Sequence, residues 1–97
     1  MTFKIKSGSE NLASTMRKIG YQPINTSDRG ELNCIRPFYG NDYPRFHIYV
    51  KEQGGEIIIN LHLDQKKPSY QGSHAHSGDY DSETVRDEAA RIRSTLK

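Results

Sequence analysis

Two adjacent glycines constrain the fold of this chain more than any other feature. Gly54 and Gly55 separate two segments, Arg45 to Glu52 and Glu56 to Asp64, in which apolar and polar residues alternate. Alternation of this kind is typical of β-strands with one buried face. Two glycines between such strands favour a tight turn with both central residues in the left-handed region. The sequence therefore predicts a β-hairpin centred on Gly54 and Gly55.

The turn also sets the register of the hairpin. It pairs apolar residues with one another: Val50 with Ile59, Ile48 with Leu61, and Phe46 with Leu63. It pairs polar residues on the other face: His47 with His62, Tyr49 with Asn60, and Arg45 with Asp64. A shift by one residue would bury half of the polar groups, whereas a shift by two would keep the faces and change the partners. We therefore expect a polar sheet face on which His47 and His62 are neighbours.

Helices are expected before and after the strands. Ser7 and Glu10 have the spacing of a capping box, and the helix they introduce would end at Gly20. Its buried positions would be Leu12, Met16 and Ile19. Asp81 or Ser82 would cap a final helix, with an Asp87–Arg91 ion pair on its exposed side. The buried stripe of this helix would comprise Val85, Ala89, Ile92 and Leu96.

These elements predict a single α+β domain over residues 1–97. Glu31 to Arg36 is a further strand, on which Cys34 would face the core, and Phe3 to Ile5 is a candidate for a short extra strand. The order is then (β)-α-β-β-β-α. We expect a two-layer sandwich, in which two helices cover one face of an antiparallel sheet of three strands, or of four if the extra strand is present.

Composition excludes several classes of protein. The chain has 97 residues, enough for one core of ordinary size. Its longest apolar run, Ile57 to Ile59, is far shorter than the roughly 20 residues that span a bilayer. The first residues lack the apolar segment of a signal peptide, and Cys34 is the only cysteine. We therefore expect a cytoplasmic protein with no internal disulfide and no membrane partner.

Three of the four histidines lie close together in the sequence, in His62-Leu63-Asp64 and His74-Ala75-His76. On a strand, His62 and Asp64 project from the same face, with Cα atoms roughly 6.6–7 Å apart. Two imidazoles and a carboxylate with one open position form the ligand set of a catalytic zinc site. We predict a divalent metal, zinc or manganese, held by His62, Asp64 and His76, with His74 or His47 completing the set of ligands. Such an ion could activate water to hydrolyse a phosphoester.

Metal-independent nucleic-acid binding is the main alternative. Arg45, Lys66, Lys67 and Tyr70 border the same face and have the chemistry to contact RNA or another phosphate-containing ligand. A pair of imidazoles can also cleave RNA without metal, and His47, His62 and His76 are the candidate catalytic residues. The histidines and lysines could also be ordinary solvent-exposed residues with no role in binding or catalysis. A plain protein-interaction module, including a homodimer through a sheet edge or the open face, also stays open.

The helix-strand order α-β-β-β-α resembles that of double-stranded-RNA-binding domains and of small RNA-cleaving toxins with the same topology. The resemblance implies an RNA ligand. The chain departs from those RNA-binding domains at the start of its last helix, where Asp79, Asp81 and Glu83 replace a lysine cluster. The loop before that helix is also longer than theirs.

Overall fold

The structure is a computed structural model that describes residues 1–65, 78–79 and 82–96 of the chain. The fold is α+β, as predicted, in the order β1-α1-β2-β3-β4-β5-β6-α2. The strands are β1 Thr2–Lys6, β2 Gln22–Thr26, β3 Leu32–Pro37, β4 Arg45–Gln53, β5 Glu56–Asp64 and β6 Gly78–Asp79. The helices are α1 Leu12–Lys18 and α2 Glu83–Thr95.

The described strands form one antiparallel sheet with the order β1-β5-β4-β3-β2, and β6 extends it by pairing with the end of β5. The predicted sheet of three or four strands was therefore too small. Strand β2 was missed because it is an edge strand with the polar sequence QPINT. Pro23 and a register shift between Pro23 and Asn25 interrupt its ladder, as edge positions allow. The additional strands also separate this topology from the α-β-β-β-α order of double-stranded-RNA-binding domains.

The central hairpin has the predicted register. Gly54 and Gly55 have φ angles of 61° and 79°, the left-handed values that a type I′ turn requires at both central positions. The paired residues run from Gln53 with Glu56 to Arg45 with Asp64. The alternating apolar side chains are therefore buried against the helices, namely Phe46, Ile48, Val50, Ile57, Ile59, Leu61 and Leu63. Glu52, next to the turn, is exposed, and the intervening side chains point to the opposite face.

Helix α1 begins later than predicted. Asn11 is the N-cap, and its side-chain oxygen accepts a hydrogen bond from the backbone N–H of Ser14 at 2.8 Å. Ser7 instead donates its backbone N–H to the carbonyl of Gly55 at 2.9 Å, which continues the pairing of β1 along β5. The predicted capping box of Ser7 and Glu10 is therefore wrong, because Ser7 continues the hydrogen bonding of β1 and Asn11 caps the helix.

Gly20 ends α1, as predicted. Its φ angle is 90°, and the N–H of Tyr21 donates to the carbonyl of Met16 at 3.0 Å. The N–H of Gly20 donates to the carbonyl of Arg17, also at 3.0 Å. These two bonds form a Schellman motif, which directs the chain from the helix into β2.

Helix α2 begins at the predicted cap. Ser82 accepts a hydrogen bond from the N–H of Val85 at 3.2 Å. Arg91 pairs with Glu88, three positions before it, where a pair with Asp87 was expected. Neither helix in the described part of the chain has the length and apolar character needed to cross a bilayer.

Both helices pack on the same face of the sheet, and Cys34 is fully buried there, as predicted. The core comprises Phe3, Met16, Ile19, Tyr21, Cys34, Phe46, Ile48, Val50, Ile57, Ile59, Leu61, Leu63, Val85, Ala89 and Ile92. This arrangement leaves the face with the two strand histidines on the side opposite the helices.

Candidate metal centre

Two neighbouring strands bring four polar side chains together on the face opposite the helices. In the pairing of β4 with β5, His47 lies beside His62 and Arg45 lies beside Asp64. The two imidazole centroids are 4.7 Å apart. Both histidines are buried, with 7% and 6% of their surface exposed. The predicted proximity of His47 and His62 is therefore confirmed.

Asp64 is the centre of this group. Its Oδ2 atom lies 3.0 Å from Nδ1 of His47 and 3.2 Å from Nε of Arg45. Its Oδ1 atom lies 3.0 Å from Nε2 of His62. One carboxylate thus contacts both imidazoles and a guanidinium.

The contacts of Asp64 determine its ionisation. Burial by itself would raise the pKa of this carboxyl group, because the charged form loses hydration. The hydrogen bonds from His47 and His62, together with the charges of these residues, outweigh the effect of burial and hold the pKa of Asp64 well below its usual range. The carboxylate is therefore ionised at neutral pH, as ligation of a cation requires.

Three possible ligand atoms converge at this place. One nitrogen of His47, one nitrogen of His62 and one carboxylate oxygen of Asp64 all lie within 4.8 Å of one another. Alternation along β5 places His62 and Asp64 on the same face, and the hairpin register adds His47 from β4. The arrangement therefore follows directly from the short turn at Gly54 and Gly55.

Two further residues fix the imidazoles. Asn33 of β3 offers its side-chain oxygen to Nε2 of His47, and its amide nitrogen donates to the Oδ1 atom of Asn25 at 3.3 Å. The ring of Tyr49 stacks on His47 with centroids 4.8 Å apart, and on His62 at 5.7 Å. Such outer contacts orient the rings and leave Nδ1 of His47 directed at Asp64.

Asn33 was missed from the sequence. The alternation of Leu32 and Cys34 toward the core indicates that Asn33 points to the polar face. Its partner on β4 depends on the length and path of the loop from Pro37 to Pro44, which no short turn motif specifies. The pairing of Asn33 with Tyr49, next to His47, is therefore visible only in the structure.

The orientation of the rings does not favour proton transfer to a substrate. Both nitrogens of His47 are occupied, by Asp64 and Asn33. For His62, Nε2 contacts Asp64 and Nδ1 is buried. A general acid or base must reach a proton on its substrate, directly or through one water. In this conformation, Nδ1 of His47 and Nε2 of His62 are directed at Asp64.

The other predicted site residues have different outcomes. Arg45 lies at the cluster, where its side chain is 18% exposed and its guanidinium carbon lies 4.5 Å from the ring centroid of Tyr43. The guanidinium predicted to contact phosphate thus already has an anionic and an aromatic partner. Five predicted site residues lie outside the described residues: Lys66, Lys67, Tyr70, His74 and His76.

Comparisons with protein-family models, with curated proteins and with solved structures each found no match. Function is therefore inferred from the contacts of the described residues, with His47, His62 and Asp64 at their centre.

Proposed function

We propose that the protein binds a divalent metal ion through His47, His62 and Asp64. The observation that carries this proposal is the approach of one ligand atom from each residue to within 4.8 Å of the others. Around a tetrahedral zinc ion with bonds of about 2 Å, ligand atoms are about 3.3 Å apart. The separations among the three ligand atoms, up to 4.8 Å, would have to shorten to form the site. Each imidazole already lies 3.0 Å from one oxygen of the carboxylate.

The donor set indicates which ions are suitable. Two imidazole nitrogens and one carboxylate oxygen suit zinc, and manganese is a second choice because it accepts both imidazole and oxygen ligands. Three protein ligands leave one position for water. Hydrolysis of a phosphoester by that water is the reaction we propose if the protein is an enzyme.

The hydrogen bonds of the cluster oppose ion binding. A nitrogen that donates to Asp64 must lose its proton before it binds a metal, so affinity should increase with pH. The Arg45 guanidinium, 3.2 Å from Oδ2, repels a cation at the same carboxylate. We therefore propose moderate affinity.

Calorimetric titration of the chelator-treated protein with Zn²⁺ tests the proposal. We expect one equivalent to bind, and the Asp64→Asn or His62→Ala variant to lose that binding. Asp28→Asn is a matched control, because Asp28 is an exposed carboxylate on a turn away from the cluster. In a melting experiment, an ion at a hundredfold excess over Kd adds about 2.7 kcal/mol to the stability of the folded state.

A second pair of variants distinguishes this site from the one first predicted at His74 and His76. If His47, His62 and Asp64 are sufficient to bind the ion, the double variant His74→Ala/His76→Ala still binds one equivalent of zinc. The His47→Ala variant should not bind it. The opposite result would place the ligands in the His74-Ala75-His76 segment and overturn the proposed set. Circular dichroism should be recorded for each variant, because both strand histidines are buried.

The other predictions of function remain open. Arg45 is paired with Asp64, and this contact does not by itself support binding to an RNA phosphate. The other residues of the nucleic-acid alternative, Lys66, Lys67 and Tyr70, lie outside the described part of the chain. A homodimer through a sheet edge or the open face likewise stays a prediction. Lys4 and Lys6 on β1 and Pro23 on β2 are the kinds of residue that discourage pairing between edge strands.

A further inference from the structure

A cavity lies on the helix side of the sheet, on the face opposite the candidate metal centre. It has a volume of about 580 Å³ and lies between the end of β3, the segment that follows it and the first turns of α2. Phe46 of β4 lines it, whereas the neighbouring residues Arg45 and His47 point to the opposite face. Pockets of about 300–1,000 Å³ are typical of small-molecule sites. Any ligand here would be independent of the proposed metal.

Arg36 provides positive charge in this cavity. Its side chain is 34% exposed, and its guanidinium lies 3.6 Å from Oε2 of Glu88 and 5.7 Å from the ring centroid of Phe46. The contact with Glu88 is too long for a hydrogen bond. The guanidinium of Arg36 therefore makes no hydrogen bond to Glu88 that would compete with a ligand.

Glu88 does not require Arg36 to balance its charge. Arg91 donates to both of its oxygens, from Nε to Oε1 at 2.7 Å and from Nη2 to Oε2 at 2.9 Å. The hydroxyl of Tyr21 also donates to Oε2, at 2.6 Å. This network holds Glu88 in place beneath the cavity and leaves the guanidinium of Arg36 available to a second anion.

Aromatic rings form another wall of the cavity. The rings of Phe38 and Phe46 have centroids 4.7 Å apart, and Tyr39 meets Phe38 edge to face at 6.2 Å. Tyr39 is 72% exposed, so its ring is accessible to a ligand. These rings offer a surface on which a flat apolar group can pack.

We propose that this cavity binds a small aromatic monocarboxylate. The carboxylate would receive two N–H groups from Arg36, in the forked geometry that guanidinium and carboxylate groups share. The ring would pack against Phe38 and Tyr39. Asp87 and Glu88 also line the cavity, so a ligand with one negative charge is favoured over a doubly charged phosphate.

Titration of the full chain with 1-naphthoate, followed by amide chemical shifts in NMR, tests the proposal. We expect saturable shifts at Phe38, Tyr39 and Thr84, and none at Asn33 or Asp64 on the other face. The neutral isostere 1-naphthamide should bind at least about tenfold more weakly, because it lacks the charge that Arg36 recognises. 1-Naphthyl phosphate should also bind more weakly than 1-naphthoate, since its second charge meets Asp87.

Two variants assign the contacts. Arg36→Met keeps much of the side-chain volume and should weaken 1-naphthoate at least about tenfold, whereas Arg29→Met, at an exposed arginine in the turn before β3, should not. Tyr39→Ala changes an exposed residue and should weaken both 1-naphthoate and 1-naphthamide, even if Arg36→Met does not fold. Equal binding of the acid and the amide, unchanged binding by Tyr39→Ala, or shifts absent at millimolar ligand would each overturn the proposal.

Discussion

Nδ1 of His47 lies 3.0 Å from Oδ2 of Asp64, although 17 positions separate the two residues in the chain. The hairpin turn brings them together, and His62 contacts the other oxygen of the same carboxylate. A half-buried carboxylate between two imidazoles makes stability, ionisation and the proposed metal affinity depend on one side chain. Asp64 is therefore the residue at which the site is tested most directly.

The Asp64→Asn variant should be less stable than the native chain by about 2–4 kcal/mol at neutral pH, because charged hydrogen bonds to buried imidazoles are lost. The pKa of Asp64 is lowered from an ordinary value of 3.8, so the stabilisation by its charge is fully present above about pH 4 and decreases as the pH falls below it. Urea unfolding from pH 7 to pH 2 should show the difference between the two proteins shrinking with acid.

Asp28→Asn serves as the control for that experiment. Asp28 is exposed, and changes at such positions usually alter stability by less than about 0.5 kcal/mol. A difference between Asp64→Asn and the native protein that stayed constant down to pH 2 would contradict the ionised, imidazole-bound carboxylate described above.

Arg45→Gln should bind zinc more tightly than the native protein. The substitution removes the positive charge of the guanidinium, which lies 3.2 Å from the Asp64 oxygen that would ligate the ion. We expect a gain of at least about tenfold in affinity at low salt, equivalent to about 1.4 kcal/mol. Calorimetry measures it, with Lys51→Gln as a control at an exposed cation of the same strand. Weaker zinc binding by Arg45→Gln would show that Arg45 mainly positions Asp64.

Glu88→Gln should destabilise the protein by about 2–4 kcal/mol, because the buried carboxylate accepts hydrogen bonds from Tyr21 and Arg91. Tyr21→Phe removes one of those bonds and should cost about 1 kcal/mol. The exposed neighbour Asp87 is the control, and Asp87→Asn should change the unfolding free energy little. Equal effects of Glu88→Gln and Asp87→Asn in denaturant unfolding would argue against the network.

Cys34 should be unreactive in the folded protein. It is fully buried, and burial raises the pKa of its thiol to about 11, although the charge of Arg17 acts in the other direction. Only the thiolate reacts readily with a disulfide reagent. Labelling with such a reagent at pH 8 should be slow in buffer and complete in denaturant, and rapid labelling of the native protein would contradict this packing.

The nucleic-acid alternative has a quantitative test. If Arg45, Lys66 and Lys67 contact phosphates, RNA affinity should fall with salt at a log–log slope of about −2 to −3. Lys66→Ala/Lys67→Ala should then flatten the slope by about two contacts, and filter binding or fluorescence anisotropy measures it. Failure to bind single- or double-stranded RNA and DNA at roughly 50 mM salt would end this alternative.

The part of the site that could be predicted is the part fixed by a short turn. Gly54 and Gly55 define which residues of β4 and β5 are partners, so the positions of His47, His62, Arg45 and Asp64 followed from local rules. The final helix could also be predicted from the sequence, because its cap at Ser82 and its apolar stripe are local signals.

The features that were missed depend on distant contacts or on an edge. Strand β2 is polar and contains Pro23, so only its pairing with β3 identifies it as a strand. Asn33 reaches His47 through a register that the loop after β3 does not specify. Glu88 appears in the sequence as one more charged residue of α2, and its buried position beside Tyr21, 67 positions earlier, depends on a distant contact.

The place of β1 beside β5 has a consequence for folding kinetics. The backbone of Met1 and that of Leu61 exchange hydrogen bonds across 60 positions of sequence. Hairpins form in about 1–10 μs, whereas sheets dominated by such distant contacts complete their folding in milliseconds to seconds. We expect the β4–β5 hairpin, and with it the meeting of His47 and Asp64, to form early, before β1 closes the edge of the sheet.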